Sequence, residues 1–167
     1  MKYLGQYFHY FPLQREQRKR FSNEIIRPRF VFATAARVGW SKGMGTFVPS
    51  TERFLAGGST TIRGFEQNAA GPISPSGVPL GGDSMLILNN ELRTPLFSLI
   101  DGVGFVDIGN VWLKGTDFSF TDLRKTAGVG LRLRTKWVLI RTDYGFILDR
   151  RPGEQKGRFY FSIGQAF

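Results

Sequence analysis

Apolar and polar residues alternate along most of this chain with a period of two. In "FVFATAARVGW", Phe30, Phe32, Thr34, Ala36, Val38 and Trp40 share one face, and Val31, Ala33, Ala35, Arg37 and Gly39 share the other. "MLILNNELRTPL" sets Leu86, Leu88, Leu92 and Leu96 against Asn89, Glu91 and Arg93. "GVGFVDIGNVW" sets Val106, Ile108 and Trp112 against Phe105, Asp107 and Gly109. In "TAGVGLRLRTK", Val129, Leu131 and Leu133 oppose Gly128, Gly130, Arg132, Arg134 and Lys136. In "WVLIRTDYGFIL", Val138, Ile140, Tyr144, Phe146 and Leu148 oppose Arg141, Asp143 and Gly145. "RFYFSIGQAF" gathers Phe159, Phe161, Ile163 and Phe167, with Arg158, Tyr160, Ser162 and Gly164 opposite. Successive side chains of a strand point to opposite faces, so this pattern predicts strands with one greasy and one polar face. "YLGQYFHYFP" reads as a further strand with a poorer pattern, which makes about seven.

Each predicted strand has about ten residues, and its polar face is built of glycine and charge. Trp40, Trp112 and Phe167 fall near strand ends. Apolar residues toward lipid, polar residues toward a lumen and aromatic girdles at the interfaces characterise a transmembrane β-barrel. A soluble sandwich alternates too, but strand length and glycine on the polar face favour the barrel. About seven strands are too few to close an ordinary membrane barrel, whose strands number ~8 or more. An open edge leaves backbone groups unpaired in hydrocarbon at several kcal/mol each. The expectation is that the other strands come from elsewhere, or that the chain is the terminal portion of a longer protein.

Composition narrows the chemistry. The 167 residues include 23 Lys+Arg and 13 Asp+Glu, a net charge of +10. Such an excess suits nucleic acid, anionic lipid or an acidic partner. Here Arg37, Arg93, Arg132, Arg134, Lys136, Arg141 and Arg158 fall on the polar strand faces, where they would line a lumen. Arg15, Arg18, Lys19 and Arg20 lie in a connection, in water or near membrane phosphates. "RGF" also begins an RNA-recognition strand, but "EQNAA" follows it rather than the remainder of that motif, so no nucleic-acid partner is expected. Cysteine is absent, which excludes disulfides and cysteine-ligated metals. His9 is the only histidine, so neither a His/Cys metal site nor a histidine-based triad is expected. The reading is no enzyme, no catalytic residue, no metal and no cofactor. No apolar run reaches the ~18 residues of a transmembrane helix, and "MKYLGQYFHYFPLQ" lacks the form of a secretory signal.

One segment escapes the alternation. Between the strands ending near Trp40 and starting near Met85 lies a loop, about residues 41–84, carrying "GGSTTIRGFEQ". Loops beyond ~15 residues without secondary structure are usually functional or disordered. "ERFLAGGSTTIRGFEQNAAGP", then "PLGG", "NNELR", "GVGFVDIGNVW", "TAGVGLRLRT", "RTDYGF" and a terminal "FSIGQAF" resemble, in order, the BamA/TamA superfamily of outer-membrane barrels, the bacterial surface antigen family. The resemblance covers residues ~28–167. It departs at "RTKW", Arg134 to Trp137, where family members often carry a Thr-Pro turn.

The resemblance implies an all-β chain forming the C-terminal portion of a sixteen-stranded barrel. Residues 1–167 would be a partial barrel domain without a POTRA domain, placed in the cell outer membrane. Implied partners are membrane lipids, unfolded outer-membrane proteins, and the remaining strands and POTRA domains of a full-length protein. The implied function is insertion or translocation of outer-membrane proteins. The alternatives are a passive pore or secretion channel with a loop plug, and an inactive remnant of a truncated gene. In the family the loop folds into the barrel and its arginine meets an inward acidic residue. The matching positions are Ile62, Arg63, Gly64 and Phe65 for the loop, with Asp107 as first partner and Glu91 as second. Arg63 would act as a latch, Gly64 would allow close approach, and Phe65 would pack on an aromatic such as Phe105. The ion pair could equally be architectural, as lumenal pairs in porins are. On the last strand, Phe161, Gly164 and Phe167 match the family's C-terminal strand signal and the seam where a substrate strand would pair.

Overall fold

The structure, a computed structural model, describes residues 1–13, 17–18, 25–26, 30–43, 48–134 and 138–163. Seven strands form one antiparallel sheet in which each is hydrogen-bonded to the next: β1 (Lys2–Pro12), β4 (Val31–Ser41), β5 (Ser84–Pro95), β6 (Ile100–Trp112), β7 (Arg124–Arg134), β8 (Leu139–Ile147) and β9 (Gly157–Ile163). β2 (Gln17–Arg18) and β3 (Ile25–Ile26) form a separate two-stranded ribbon between β1 and β4. The sheet is open: among the described residues β1 pairs with β4 alone, and β9 with β8 alone. Long connections leave one end of the sheet at residues 42–83, 113–123 and 148–156. At the other end β5 and β6 are joined by a tight turn over Leu96–Leu99, where Leu96 and Phe97 both donate to the Ile100 carbonyl.

The two faces follow the alternation. Val38, Trp40, Leu92, Val106, Val129, Leu131, Tyr144, Phe146, Phe159 and Phe161 point outward and are exposed. Arg37, Asn89, Glu91, Asp107, Thr126, Arg132, Arg141 and Asp143 point inward and are buried. Soluble proteins bury their greasy face; this sheet shows it and hides its charges, the inversion expected of a wall against lipid.

Two details depart from the pattern. The inner face is not polar throughout: Met85, Ile87, Val111 and Ile147 also face inward, near the end with long connections. They pack on Phe54, Ala56, Ile62, Phe65 and Ala70 of the 42–83 loop, so the core lies between sheet and loop. The loop brings its own apolar surface, and the wall beneath is apolar to receive it. Trp112, expected at an interfacial girdle, is buried instead, its ring 4.5 Å from that of Phe118 in the β6–β7 connection. Trp40 keeps the girdle role: it is exposed and stacks on Tyr3 at 6.5 Å.

An outward face this greasy, with two open edges, specifies behaviour in solution. Without detergent the chain should sediment as aggregates, and in mild detergent it should enter micelles. Analytical ultracentrifugation checks this; a monodisperse, detergent-free monomer would contradict the membrane reading of the outer face.

Candidate functional site

The loop is shaped before it meets the wall. Gly57 and Gly58 have φ of 112° and 102°, values side chains rarely adopt, and a Cβ on Gly57 would lie 2.5 Å from the Glu66 carbonyl oxygen. This fold-back is closed by Thr61, whose hydroxyl accepts from the Gly57 N–H at 2.8 Å and donates to its carbonyl at 2.9 Å. Farther on, the Ala70 N–H donates to the Ala56 carbonyl at 2.9 Å. The tip between them carries Ile62, Arg63, Gly64 and Phe65, and all four are buried.

Arg63, 2% exposed, is the centre of the site. Its Nε and Nη2 donate to Oδ2 and Oδ1 of Asp107, both at 2.7 Å. Its own backbone N–H adds a third bond to Oδ2 at 3.0 Å. Nη1 donates to Oε1 of Glu91 at 2.5 Å and lies 3.9 Å from Asp143. The guanidinium plane rests 3.5 Å from the centroid of the Phe105 ring. Planar guanidinium suits both the two-pronged carboxylate contact and the stacked ring, which lysine would not satisfy. Burial disfavours the charge on Arg63, but the hydrogen bonds and charge of Asp107, then the charges of Glu91 and Asp143, outweigh it and raise its pKa.

The strands position these partners by register. Glu91 on β5 stands opposite Phe105 on β6, and Asn89 opposite Asp107. Asn89 donates from Nδ2 to Asp107 at 2.8 Å and to the Thr61 carbonyl at 2.6 Å, and accepts from Arg37 at 2.7 Å. Glu91 also takes Arg93 at 2.7 Å and Arg132 at 3.3 Å. Asp143 on β8 takes Arg132 at 2.7 Å and Arg141 at 3.0 Å, and Arg141 reaches on to the Ser59 carbonyl at 3.1 Å. Three carboxylates and five guanidiniums therefore form one buried network, with Arg63 as the member supplied by the loop.

Glycine supplies the room. Gly64 has φ 103°, and a Cβ on Gly145 of β8 would lie 2.6 Å from the Gly64 nitrogen. A Cβ on Gly128 of β7 would collide with the tip of the Phe105 ring, so the glycine leaves that ring its place. The Gly64 N–H donates to the Tyr160 hydroxyl at 2.9 Å, and that hydroxyl donates to the Phe65 carbonyl. Phe65 does not reach Phe105. The Arg63 guanidinium occupies that ring, and Phe65 lies under Arg124, 4.5 Å from its guanidinium. Arg124 in turn is clamped by Asp149 at 2.8 Å and Glu154 at 2.6 Å in the β8–β9 connection.

Of the residues singled out from sequence, the structure thus brings Arg63, Gly64, Asp107, Glu91 and Phe105 together, with Ile62 and Phe65 in the adjoining core. Phe161 lies apart on the outward face of β9. Gly164 and Phe167 lie outside the described residues. Asn89, Asp143 and Tyr160 were legible only as inward-facing positions. Among the described residues no group of three His, Cys, Asp or Glu could hold a metal ion.

The Omp85 superfamily domain matches residues 1–167. The chain belongs to the Omp85 superfamily. An outer membrane protein assembly factor BamA from Nitratidesulfovibrio vulgaris is 40% identical over 127 residues, covering 72% of this chain and 16% of that protein. Outer envelope protein 80, chloroplastic, of Arabidopsis thaliana is 28% identical over 129 residues, again 72% of this chain and 16% of that protein. The chain therefore spans about a sixth of the length of these Omp85 relatives. The crystal structure of BamA from Haemophilus ducreyi lacking POTRA domains 1–3 superposes with a TM-score of 0.72 at 20% identity, over 98% of this chain and 35% of that one. At that identity the likeness concerns the fold, and it makes the open sheet a stretch of an Omp85 barrel wall. The location of the chain is the outer membrane.

Two outcomes follow for the docked loop. Arg63→Ala leaves Asp107 buried without its cation and Glu91 with one fewer, a change that typically costs about 3–5 kcal/mol. It should expose the loop to protease in intact cells, whereas Thr60→Ala should not. Gly145→Ala puts a methyl against the Gly64 nitrogen; overpacking of this kind costs about 1–3 kcal/mol. Hydrogen exchange should rise at residues 62–66 while the β4–β5 ladder stays protected.

Proposed function

We propose that these residues form the C-terminal part of the barrel of a longer outer-membrane protein that inserts or translocates other outer-membrane proteins. Its remaining strands and POTRA domains would precede the residues in hand, and no POTRA domain would lie within residues 1–167. The observation that carries the reading is the loop tip seated on the wall by Arg63, in a chain 40% identical to a BamA. The work is noncovalent and needs no catalytic residue or cofactor. An unfolded outer-membrane protein would be taken up as an added strand at the outer edge of β9, which pairs with no further strand among the described residues and whose backbone groups would offer a template when it opens. Lipids would solvate the outward face; nucleic acid has no part.

In this reading Arg63 is a latch. It carries the cation that forks onto Asp107 and adds to those already on Glu91, so the loop is favoured inside and disfavoured outside. The C-terminal strand supplies a second element: Phe161 faces outward, and Gly164 and Phe167 match the family's C-terminal signal, an aromatic ring being suited to the boundary between lipid and water.

The experiment uses the full-length protein in liposomes, with assisted folding of a test barrel measured beside ion conductance. Assisted folding that falls at least about tenfold with Arg63→Ala supports an insertase whose loop must be seated; about 1.4 kcal/mol lost at the loop would suffice for that factor. Conductance without assisted folding would make the protein a passive pore and overturn the proposal. Phe167→Ala should sharply lower the heat-modifiable, folded fraction in cells, while the denaturant midpoint of assembled barrels changes by only about 1 kcal/mol. If both fall in proportion, Phe167 serves packing and not recognition.

A further inference from the structure

β9, described over Gly157–Ile163, pairs with β8 among the described residues, and its outward residues Phe159, Phe161 and Ile163 are exposed. Its inward side carries Tyr160, and that hydroxyl holds two backbone groups of the loop tip at once. It accepts from the Gly64 N–H at 2.9 Å and donates to the Phe65 carbonyl. A phenol used this way does what a neighbouring strand would do: it satisfies an N–H and a C=O that otherwise lack a partner in a buried site. Tyr160 stands opposite Asp143, whose carboxylate is gripped by Arg132 and Arg141 and lies 3.9 Å from Arg63. Beside it, Gly145 of β8 lies in close contact with Gly64 and pairs with Arg158 of β9. Arg158 reaches Glu66 of the loop at 3.5 Å, an exposed pair that adds little by itself.

We propose that Tyr160 is a positioning residue that couples the seat of the loop to the conformation of the edge strand β9. With the loop seated, Tyr160 is held and β9 stays against β8. With the loop withdrawn, the phenol loses both partners and β9 frays, presenting its edge. The coupling is reciprocal: a partner that pulls β9 away orphans the Gly64 N–H and the Phe65 carbonyl, and so loosens the loop. The inference rests on the reading of β9 as the strand at which a substrate pairs.

The test is hydrogen exchange on the full-length protein in lipid nanodiscs, with Tyr160→Phe, Arg63→Ala and both together. Tyr160→Phe keeps the ring and removes two hydrogen bonds. It should speed exchange roughly tenfold or more at residues 62–66 and 157–163 alike, leaving β4–β6 unchanged. Arg63, whose hydrogen bonds go to Asp107 and Glu91 on β6 and β5, should speed β9 exchange when mutated to Ala only if Tyr160 is intact. Cysteine is absent from the chain, so Glu66→Cys and Arg158→Cys joined by a bifunctional thiol crosslinker can fasten loop to strand, and the link should suppress the effect of Tyr160→Phe on β9. Uniform acceleration across all strands, or a response in one segment without the other, would overturn the coupling. If Arg63→Ala leaves protease access to the loop unchanged, the latch reading fails on its own. The paired response to Tyr160→Phe then still decides whether loop and strand are coupled.

Discussion

The fork of Arg63 on Asp107 is the contact on which the interior of this sheet depends. A guanidinium 2% exposed, with its backbone N–H bound to the same carboxylate, fixes the loop tip in place and in orientation. Remove the cation and Asp107 and Glu91 remain buried as anions with fewer donors. Buried ion pairs are seldom large net stabilisers relative to apolar replacements, but a half-broken one is strongly destabilising. The pair therefore acts less as glue than as a demand: these carboxylates require an arginine from the loop.

Around that demand the structure inverts the usual division between core and surface. The greasy strand faces are turned outward, so the apolar core must come from somewhere other than sheet-on-sheet packing. It comes from the loop, whose Phe54, Ala56, Ile62, Phe65 and Ala70 meet Met85, Ile87, Val111 and Ile147. The same loop thus contributes both an apolar surface and, between Ile62 and Phe65, the Arg63 cation. Gly64, Gly128 and Gly145 keep the wall thin enough for both to approach. Loop seating and wall integrity are consequently one problem, which is why a loop residue is expected to matter for a barrel's work at a distance from any substrate.

The charge of the chain has a related explanation. Arg37, Arg63, Arg93, Arg132 and Arg141 share Glu91, Asp107 and Asp143, with Asn89 bridging as a neutral member. Glu91 and Asp143 are each used by more than one guanidinium, Asp107 is held by Arg63 and the Asn89 amide, and each cation but Arg37 contacts an anion directly. With five cations to three anions, the network places part of the chain's net charge of +10 on the inner wall.

Sequence by itself determined which way each strand residue faces, because a period of two admits only two faces and lipid makes their chemistry opposite. It also marked the long loop as the exception; the family resemblance of that loop implied an inward carboxylate for Arg63, and the inward parity of Asp107 and Glu91 named the candidates. Tertiary structure decided everything that depends on distance across strands. That Asp143 joins the network, that Tyr160 reaches the loop from 96 residues away, and that Phe105 receives a guanidinium and not Phe65 all follow from strand register and the path of the loop. The burial of Trp112 follows from the β6–β7 connection folding Phe118 onto it. Alternation constrains direction along one strand; it carries no information about how neighbouring strands are staggered or where a glycine-hinged loop comes to rest, and those are set only when the whole sheet is assembled.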